Sequence, residues 1–308
     1  MDRPPVVLTA PHYVLGEIEE DHTAITGFTE RVAEFRMKPR ASLWGWGTIR
    51  RTERAIEDLA VESGAATLAA AGLDPAAVES VVLCSTGFPV GTGVHGAFVE
   101  RILTGLGIAD ADFVGVGLNR CTNLLAGVQV ADAYVRAGRH RRVLVITTDR
   151  VADEPTRMDK FALFSDGAAS CLVTGDDTGG YELLGCASAT RASELDWANE
   201  INPELSTRVN EQLLKPLDLA VTDLAGLMHT NVYKPVVYLK EMQAGFEAGQ
   251  LYLDNITRLG HCFAADPLIN LVDRDRAGRL VDGAHYLLAA SVPGSRAGVL
   301  LRRRPAGQ

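Results

Sequence analysis

The chain has 308 residues, of which 47% are hydrophobic and 22% are charged, and its formal net charge is −9. A globular chain of this length can bury a large core, as two modest domains or as one duplicated domain. The acidic balance argues against a nucleic-acid-binding protein, because such proteins need a basic face to neutralise phosphates. The longest apolar runs, such as residues 143–146, are strand-sized, and the N-terminus lacks a signal-peptide pattern. We therefore expect a cytoplasmic protein that neither binds nucleic acid nor enters a membrane.

The cysteines argue against a disulfide framework and against a metal site. Their number is five, which is odd, and no two of them form a C-x-x-C pair. The spacing between cysteines and histidines does not match that of a zinc site either. Reduced thiols and no bound metal are the expectation for Cys84, Cys121, Cys171, Cys186 and Cys262.

The first half of the chain alternates between strand and helix patterns. A short strand is predicted first, followed by an irregular segment at residues 16–46. Gly72 and Gly138 follow two helical patterns and are predicted to end them. In chain order, the predicted elements are a strand at 6–9, a helix at 51–71, a short helix opened by Asp74, a strand at 81–84, helices at 95–106 and 121–137, and strands at 143–147 and 168–173.

The second half continues in the same way. Its predicted elements are a strand at 181–189, a polar surface segment at 191–215, a strand running from 221 towards His229, a helix at 234–248, and strands at 286–290 and 298–301. Strands and helices that alternate at these lengths predict a layered α/β fold.

One sequence similarity between the two halves suggests a duplication. The segment CTNLLAGVQVADAYVRAG begins at Cys121 and ends at Gly138, and the segment HCFAADPLINLVDRDRAG begins at His261 and ends at Gly278. Both end in Arg-Ala-Gly and are followed by a short loop and an apolar strand. A duplicated unit would place Cys121 and His261 at equivalent helix starts, facing each other across a pseudo-two-fold axis.

Cys121, His229 and His261 are the candidate catalytic residues. The partial positive charge of a helix N-terminus stabilises a thiolate, which is the nucleophile of thioester chemistry. An inert, buried cysteine is the competing interpretation. His229 follows an apolar run, and a histidine at a strand exit can reach into a cleft. Gly260 allows an unusual backbone conformation just before His261.

Four stretches carry a resemblance to a known family. LNRCTN around Cys121 is similar to A-A-C-x-G-F, FSDGAAS at 164–170 to F-G-D-G-A-G-A, MHTN around His229 to H-Q-A-N, and GHCFAAD around His261 to G-N-T-S-A-A-S. In this order and spacing they resemble the ketosynthase III family of condensing enzymes, within the thiolase superfamily. The resemblance covers nearly the whole chain.

The resemblance implies an α/β thiolase fold, with two pseudo-repeated βαβαβαββ halves in a layered α/β/α/β/α architecture. The N-terminal half would be residues 1–176, with the nucleophilic cysteine, and the C-terminal half residues 177–308, with the two histidines. It further implies a homodimer, no permanently bound cofactor, and an acyl-coenzyme A or an acyl-acyl carrier protein as the donor substrate.

The chain departs from the family pattern at three positions. His261 replaces an asparagine, and Asp266 stands where the family has a small residue. The stretch SVPG (291–294) replaces a Gly-rich loop that supplies an oxyanion-hole N–H, and Pro293 has no N–H. Loss of one such donor costs ~10²–10³ in rate. Ser291 and Gly294 are therefore the candidate loop residues of the oxyanion hole.

The resemblance implies that Cys121 carries an acyl thioester beside a pocket formed by Phe88, Phe161 and Leu163. His229 and His261 would hold the carbonyl of a malonyl-type thioester during decarboxylative condensation in a specialised pathway. Asn231 and Asp266 are possible supporting residues. Two alternatives stay open. One is acyl transfer to an alcohol or amine with His229 as general base, and the other is a non-catalytic ketosynthase partner subunit.

Overall fold

The structure is a computed structural model that describes residues 5–176, 179–196 and 202–305. Eleven β-strands lie within these ranges. In chain order they are β1 (Val7–Leu15), β2 (Ile18–Asp21), β3 (Thr48–Arg51), β4 (Ser80–Cys84), β5 (Asp112–Val116), β6 (Arg142–Asp149), β7 (Gly167–Thr174), β8 (Tyr181–Thr190), β9 (Leu224–Met228), β10 (His285–Val292) and β11 (Ser295–Arg303).

Nine α-helices lie in the same three ranges. They are α1 (Phe28–Glu34), α2 (Ala41–Trp44), α3 (Ile56–Ala71), α4 (Val94–Leu106), α5 (Asn123–Arg136), α6 (Pro203–Leu214), α7 (Lys234–Gln243), α8 (Asp254–Arg258) and α9 (Asp266–Arg276).

Nine of the strands form one sheet in the order β5-β4-β6-β7-β1-β8-β11-β10-β9. Its two halves meet where β1 and β8 pair antiparallel. From this junction outwards the same pattern occurs in both halves. Strand β7 is antiparallel to β1 and β6, as β11 is to β8 and β10. The next pairs outwards, β6–β4 and β10–β9, are parallel. A single parallel bridge between Leu227 and Leu251 stands where the first half has the β4–β5 pair.

The helices complete five layers. Leu124 and Val128 of α5 share one buried cluster with Leu268 and Ile269 of α9 and with strands from both halves. Helices α3 and α4 cover the outer face of the first half, and α6 and α7 cover that of the second. This α/β/α/β/α arrangement confirms the predicted thiolase fold. The predicted domain boundary at 176/177 falls between β7 and β8, and it stays a prediction.

Helices on both faces explain why the central strands could be predicted. Every residue of β4 and β7, and all but the first of β6, is buried. Strands covered on both faces appear in a sequence as continuous apolar runs, not as an alternation of apolar and polar residues.

Two local predictions in the first half were wrong, and one strand was missed. The segment 16–46, expected to be irregular, contains β2, α1 and α2. The helix expected from residue 51 starts at Ile56, because Arg51 pairs with Ile18 in the β2–β3 hairpin. Strand β5 was not predicted, because it is a largely exposed edge strand with a glycine near its centre.

Two predictions in the second half also need correction. The polar segment 191–215 contains the amphipathic helix α6, which buries Leu205, Val209 and Leu213 against the sheet. Residues 197–201 of that segment lie outside the described residues. The helix expected at 234–248 ends at Gln243, close to Gly245, whose φ is +100°.

Gly127 lets α5 approach the sheet closely, which gives a test of the central layer. A Cβ at this position would lie 2.6 Å from Cys84 Sγ and 3.2 Å from Val145 Cγ1. We expect Gly127→Ala to lower the free energy of unfolding by about 1–3 kcal/mol through overpacking. A Cβ at Gly96 in α4 would meet no atom within 4 Å, so Gly96→Ala should be neutral or stabilising. Urea denaturation of both variants checks this, and equal effects would contradict the packing account.

Candidate active site

Cys121 lies in a single 3₁₀ turn (Arg120–Thr122) directly before α5. Asn123, the first residue of α5, accepts a hydrogen bond from the Asn119 N–H at 3.0 Å and donates one to the Ser85 carbonyl at 2.9 Å. These bonds fix the turn to the end of β4. The sulfur therefore lies at the positive end of the α5 dipole, as the sequence predicted.

His261 faces Cys121 from the other half of the molecule, with 3.2 Å between His261 Nε2 and Cys121 Sγ. Its backbone is held by the segment before β7, since its N–H donates to the Leu163 carbonyl at 2.8 Å and its carbonyl accepts from the Ser165 N–H at 2.9 Å. Gly260 has φ +67°, and a Cβ there would meet the Leu163 oxygen at 2.7 Å. Only glycine fits this close approach.

The turns before α5 and α9 share a strained backbone. Arg120 and Phe263 each lie three residues before the start of their helix, with φ +53° and +51°. Helix α9 has 11 residues and α5 has 14. The helix starts are therefore equivalent, but His261 lies three residues further from its helix than Cys121 does. This extra turn of chain lets His261 reach across to the sulfur.

Asp266 fixes His261 from behind. Its Oδ2 lies 2.5 Å from His261 Nδ1 and accepts the Asn231 N–H at 2.6 Å, and its Oδ1 accepts the Cys262 N–H at 2.7 Å. A carboxylate can only accept, so His261 Nδ1 carries a hydrogen. Asp266 is fully buried and is the first residue of α9, where the helix dipole favours a negative charge. Cys121, His261 and Asp266 thus form a hydrogen-bonded triad.

The triad favours a protonated His261. Burial opposes a charge on this imidazole, but the Asp266 carboxylate and the Cys121 sulfur outweigh it and raise the pKa of His261 well above its ordinary value. An imidazolium beside a cysteine is the environment that activates the sulfur as a nucleophile. The Phe164 ring lies 4.8 Å and the Phe263 ring 6.0 Å from His261, centroid to centroid. Neither ring was predicted to belong to the site. The only sequence signal was that Phe164 lies in the FSDGAAS stretch and Phe263 in the GHCFAAD stretch.

His229 follows β9 and is 2% exposed. Its Nδ1 lies 2.7 Å from the Thr230 carbonyl, which can only accept, so Nδ1 is the donor. Its Nε2 has no hydrogen-bond partner among the described residues. Burial lowers the pKa of His229, although the Thr230 carbonyl and Glu241 partly offset this. At neutral pH, His229 is therefore an uncharged ring whose Nε2 is a hydrogen-bond acceptor.

An amide on α9 holds the His229 segment in place. Asn270 Nδ2 donates to the His229 carbonyl at 2.9 Å and to Asn231 Oδ1 at 2.9 Å. Asn270 lies one helical turn after Asp266, so a polar stripe on α9 positions both histidine segments. Asn270 was not predicted, although polar residues four apart on an apolar helix are a sequence signal.

The β10–β11 turn lies beside the turn that carries Cys121. The Pro293 carbonyl accepts a hydrogen bond from Arg120 Nη2 at 2.7 Å. The Ser291 N–H donates to Thr230 Oγ1 at 3.2 Å, and the Gly294 carbonyl accepts from the Arg191 N–H at 2.8 Å. The N–H of Ser291 is therefore engaged, and the role of this loop in an oxyanion hole stays a prediction.

The three predicted pocket residues do not lie in one cluster, since Phe161 and Leu163 share the outer cluster of the second half and Phe88 lies in that of the first. Phe88 packs on Phe98 in the outer layer of the first half, at 5.6 Å between ring centroids. The Phe161 carbonyl accepts the Tyr233 N–H at 2.7 Å, and Leu163 touches His261 through its backbone. The acyl pocket stays a prediction.

Residues 5–176, 179–196 and 202–305 contain no group of three or more His, Cys, Asp or Glu side chains placed to hold a metal ion. No helix in these ranges is long and apolar enough to cross a membrane. A cytoplasmic location stays a prediction.

Replacing Asp266 by asparagine tests the origin of the His261 charge. Burial lowers the pKa of His261 and the Asp266 carboxylate raises it. Without the carboxylate, we therefore expect His261 to lose its proton at a lower pH than in the wild type. NMR titration of ¹⁵N-histidine-labelled protein measures this. Asp273→Asn, a change on the same helix at a residue that binds Tyr13 and Asn255 instead, is the matched control. An unchanged His261 titration in Asp266→Asn would refute the triad.

Part of the chain is similar in sequence to known enzymes. Residues 118–192 match the family model of 3-oxoacyl-[acyl-carrier-protein] synthase III. The β-ketoacyl-[acyl-carrier-protein] synthase III of Solibacter usitatus is 28% identical over 150 residues, 44% of this chain and 42% of that protein. Its counterpart from Rhodospirillum rubrum is 36% identical over 123 residues, 38% of this chain and 36% of that protein. The aligned region thus spans less than half the length of either relative.

Solved structures extend the likeness in fold to the whole chain. The acyltransferase ChlB3 superimposes with a TM-score of 0.83 at 17% identity, covering 98% of this chain and 99% of that one. The 3-oxoacyl-(acyl carrier protein) synthase III of Pseudomonas aeruginosa gives 0.79 at 20% identity, covering 99% and 100%. OleA of Xanthomonas campestris, with bound lauric acid and lauroyl-CoA, gives 0.81 at 13% identity, covering 97% and 99%. The likeness in sequence to 3-oxoacyl-[acyl-carrier-protein] synthase III thus covers part of the chain, and the likeness in fold covers nearly all of it.

Proposed function

We propose that this protein is an acyltransferase that takes an acyl group from a thioester onto Cys121 and passes it to a hydroxyl or amine acceptor. The observation that carries the proposal is the Cys121–His261–Asp266 triad, with 3.2 Å between Nε2 and Sγ. A nucleophile, a base in contact with it and a third group that orients the base are the signature of acyl transfer through a covalent intermediate.

In the first half-reaction, the Cys121 sulfur attacks the carbonyl carbon of the donor thioester. The bond from that carbon to the donor sulfur breaks, and protonated His261 gives its Nε2 proton to the departing thiolate. The products are a free thiol, an acyl-Cys121 thioester and a neutral His261 still held by Asp266. An acyl-coenzyme A or an acyl-acyl carrier protein supplies the acyl group.

In the second half-reaction, neutral His261 takes the proton of the acceptor while the acceptor oxygen or nitrogen attacks the acyl carbon. Cys121 leaves as a thiolate, and the resting pair is restored. His229 Nε2 accepts a hydrogen bond from a second N–H or O–H group of the acceptor molecule, not from the proton that His261 takes, and so orients the acceptor. A buried acceptor atom without a partner costs about 1–3 kcal/mol, and an O–H or N–H group on the substrate would recover that cost.

Decarboxylative condensation, the first interpretation of the sequence, is the second candidate. The names of the matched relatives and the presence of two histidines favour it. However, a malonyl thioester carbonyl needs hydrogen-bond donors, and neutral His229 offers an acceptor at Nε2. The tautomer of His229 therefore supports acyl transfer over condensation. The changes at His261, Asp266 and Pro293 support a specialised pathway for either reaction, and the intact triad counts against a non-catalytic partner subunit.

We also propose a homodimer formed by pairing β5 with β5 of a second copy. Strand β5 is an edge of the nine-stranded sheet, and an exposed edge strand is a template for pairing with another chain. Phe113 on this strand is 54% exposed, and Leu118, two residues after its end, is 98% exposed. The apolar residues 143–146 do not form the dimer contact, because they lie in β6, which already pairs with β4 on one side and β7 on the other.

Intact mass after incubation with a panel of acyl thioesters tests the covalent step. We expect an acyl adduct on the wild type that disappears in Cys121→Ala, because this is the sulfur that contacts His261. Cys262→Ala is the matched control, since Cys262 is buried beside His261 and contacts Asp266 through its backbone N–H, and it should load normally. An adduct that persists in Cys121→Ala would contradict the proposal.

Analytical ultracentrifugation tests the dimer. Phe113→Asp places a charge on the β5 edge and should convert a dimer at micromolar concentration into monomer. Val281→Asp changes a residue that is 62% exposed elsewhere on the surface and should leave the dimer intact. A wild-type monomer, or a Phe113→Asp dimer, would reject pairing through β5.

A further inference from the structure

A buried ion pair lies behind His229. Arg296 on β11 and Glu241 on α7 are each 1% exposed. They are joined in a bidentate arrangement, with 2.6 Å between Nη1 and Oε1 and 3.0 Å between Nη2 and Oε2. Removing two charges from water costs several kcal/mol per ion, and apolar residues of similar volume often stabilise a fold equally well or better. Stability alone therefore does not account for this pair.

The pair is connected to His229 through a chain of hydrogen bonds. Arg296 Nη1 also donates to Ser291 Oγ at 2.9 Å, and the Ser291 N–H donates to Thr230 Oγ1 at 3.2 Å. The Thr230 carbonyl in turn accepts the Nδ1 hydrogen of His229. The ion pair thus joins α7, the β10–β11 hairpin and the His229 loop into one unit.

The same hairpin touches the nucleophile turn. Its Pro293 carbonyl accepts the hydrogen bond from Arg120, the residue before Cys121. A shift of the hairpin would therefore change the position of the His229 ring relative to the sulfur.

The charges around His229 come from two helices. Glu241 and Lys240 face it from α7, and Asp266 faces it from α9. Lys240 Nζ lies 3.8 Å from Glu241 Oε1, so the carboxylate stands between two cations. Burial lowers the pKa of His229, while Glu241 and Asp266 act in the opposite direction and Lys240 adds to the lowering.

We propose that the Arg296–Glu241 pair is a positioning device that sets the orientation of His229 towards the acyl acceptor. This inference rests on the proposed function, in which His229 acts in the second half-reaction. The pair should therefore matter for transfer from acyl-Cys121 and not for loading of Cys121, which needs only His261 and Asp266.

A double substitution tests the pair. Removing one partner leaves a buried charge uncompensated and is strongly destabilising, whereas replacing both by apolar residues removes one charge of each sign and leaves the net charge around Lys240 unchanged. In Glu241→Leu/Arg296→Met we expect loading of Cys121 within about twofold of the wild type and transfer to an alcohol or amine slowed on the order of 100-fold, the cost of a misplacement near 1 Å. Loss of the Glu241 charge should also move the NMR titration of His229 to lower pH.

The matched control lies on the same strand. Arg302 pairs with Glu182 of β8 at the opposite end of strand β11 from Arg296. Glu182→Leu/Arg302→Met should leave loading, transfer and the His229 titration unchanged. If the first double variant does not fold, Glu241→Gln/Arg296→Gln keeps the side chains polar and carries the same expectations.

The outcomes separate this inference from the proposed function. A folded double variant that transfers the acyl group at the wild-type rate overturns the positioning role. If His229→Ala also transfers at the wild-type rate, the role of His229 in the proposed function fails with it. If His229→Ala slows transfer and the double variant does not, only the positioning role fails.

Discussion

The hydrogen bond between Asp266 and His261 is the constraint on which the rest of the site depends. Asp266 is buried, and its two oxygens are occupied by His261, the Cys262 N–H and the Asn231 N–H. A buried carboxylate is stable only when it is paired or fully hydrogen-bonded. The same carboxylate therefore fixes the tautomer and charge of His261 and the position of the loop that carries His229.

The duplicated fold explains how two distant segments meet at this carboxylate. Helices α5 and α9 lie together in the central layer, in one buried cluster with strands of both halves. One helix start carries Cys121 and the other carries His261, whose Nε2 contacts the sulfur. The two turns share a left-handed residue, Arg120 and Phe263. Because α9 is three residues shorter than α5, three more residues lie between His261 and its helix, and they let His261 reach the sulfur.

Much of this was predictable from the sequence, because it depends on local pattern. The Arg-Ala-Gly repeat placed Cys121 and His261 opposite each other, and continuous apolar runs marked the buried strands. What could not be predicted depends on contacts between distant residues. The role of Asp266 requires the left-handed turn at Phe263, and the tautomer of His229 is set by a backbone carbonyl. Glu241 and Arg296 are 55 residues apart, and no local pattern pairs them. The exposed strand β5 has no buried face to give it an apolar pattern.

The central claim is that acyl-Cys121 is attacked by a hydroxyl or amine and not by a decarboxylated malonyl unit. The most direct test is a single-turnover competition. Isolated acyl-enzyme is mixed with equal concentrations of carboxyl-labelled malonyl thioester and a simple alcohol or amine, and labelled carbon dioxide and acylated acceptor are counted. The account predicts acylated acceptor without release of carbon dioxide. Stoichiometric carbon dioxide with a product longer by two carbons would contradict it and establish condensation instead.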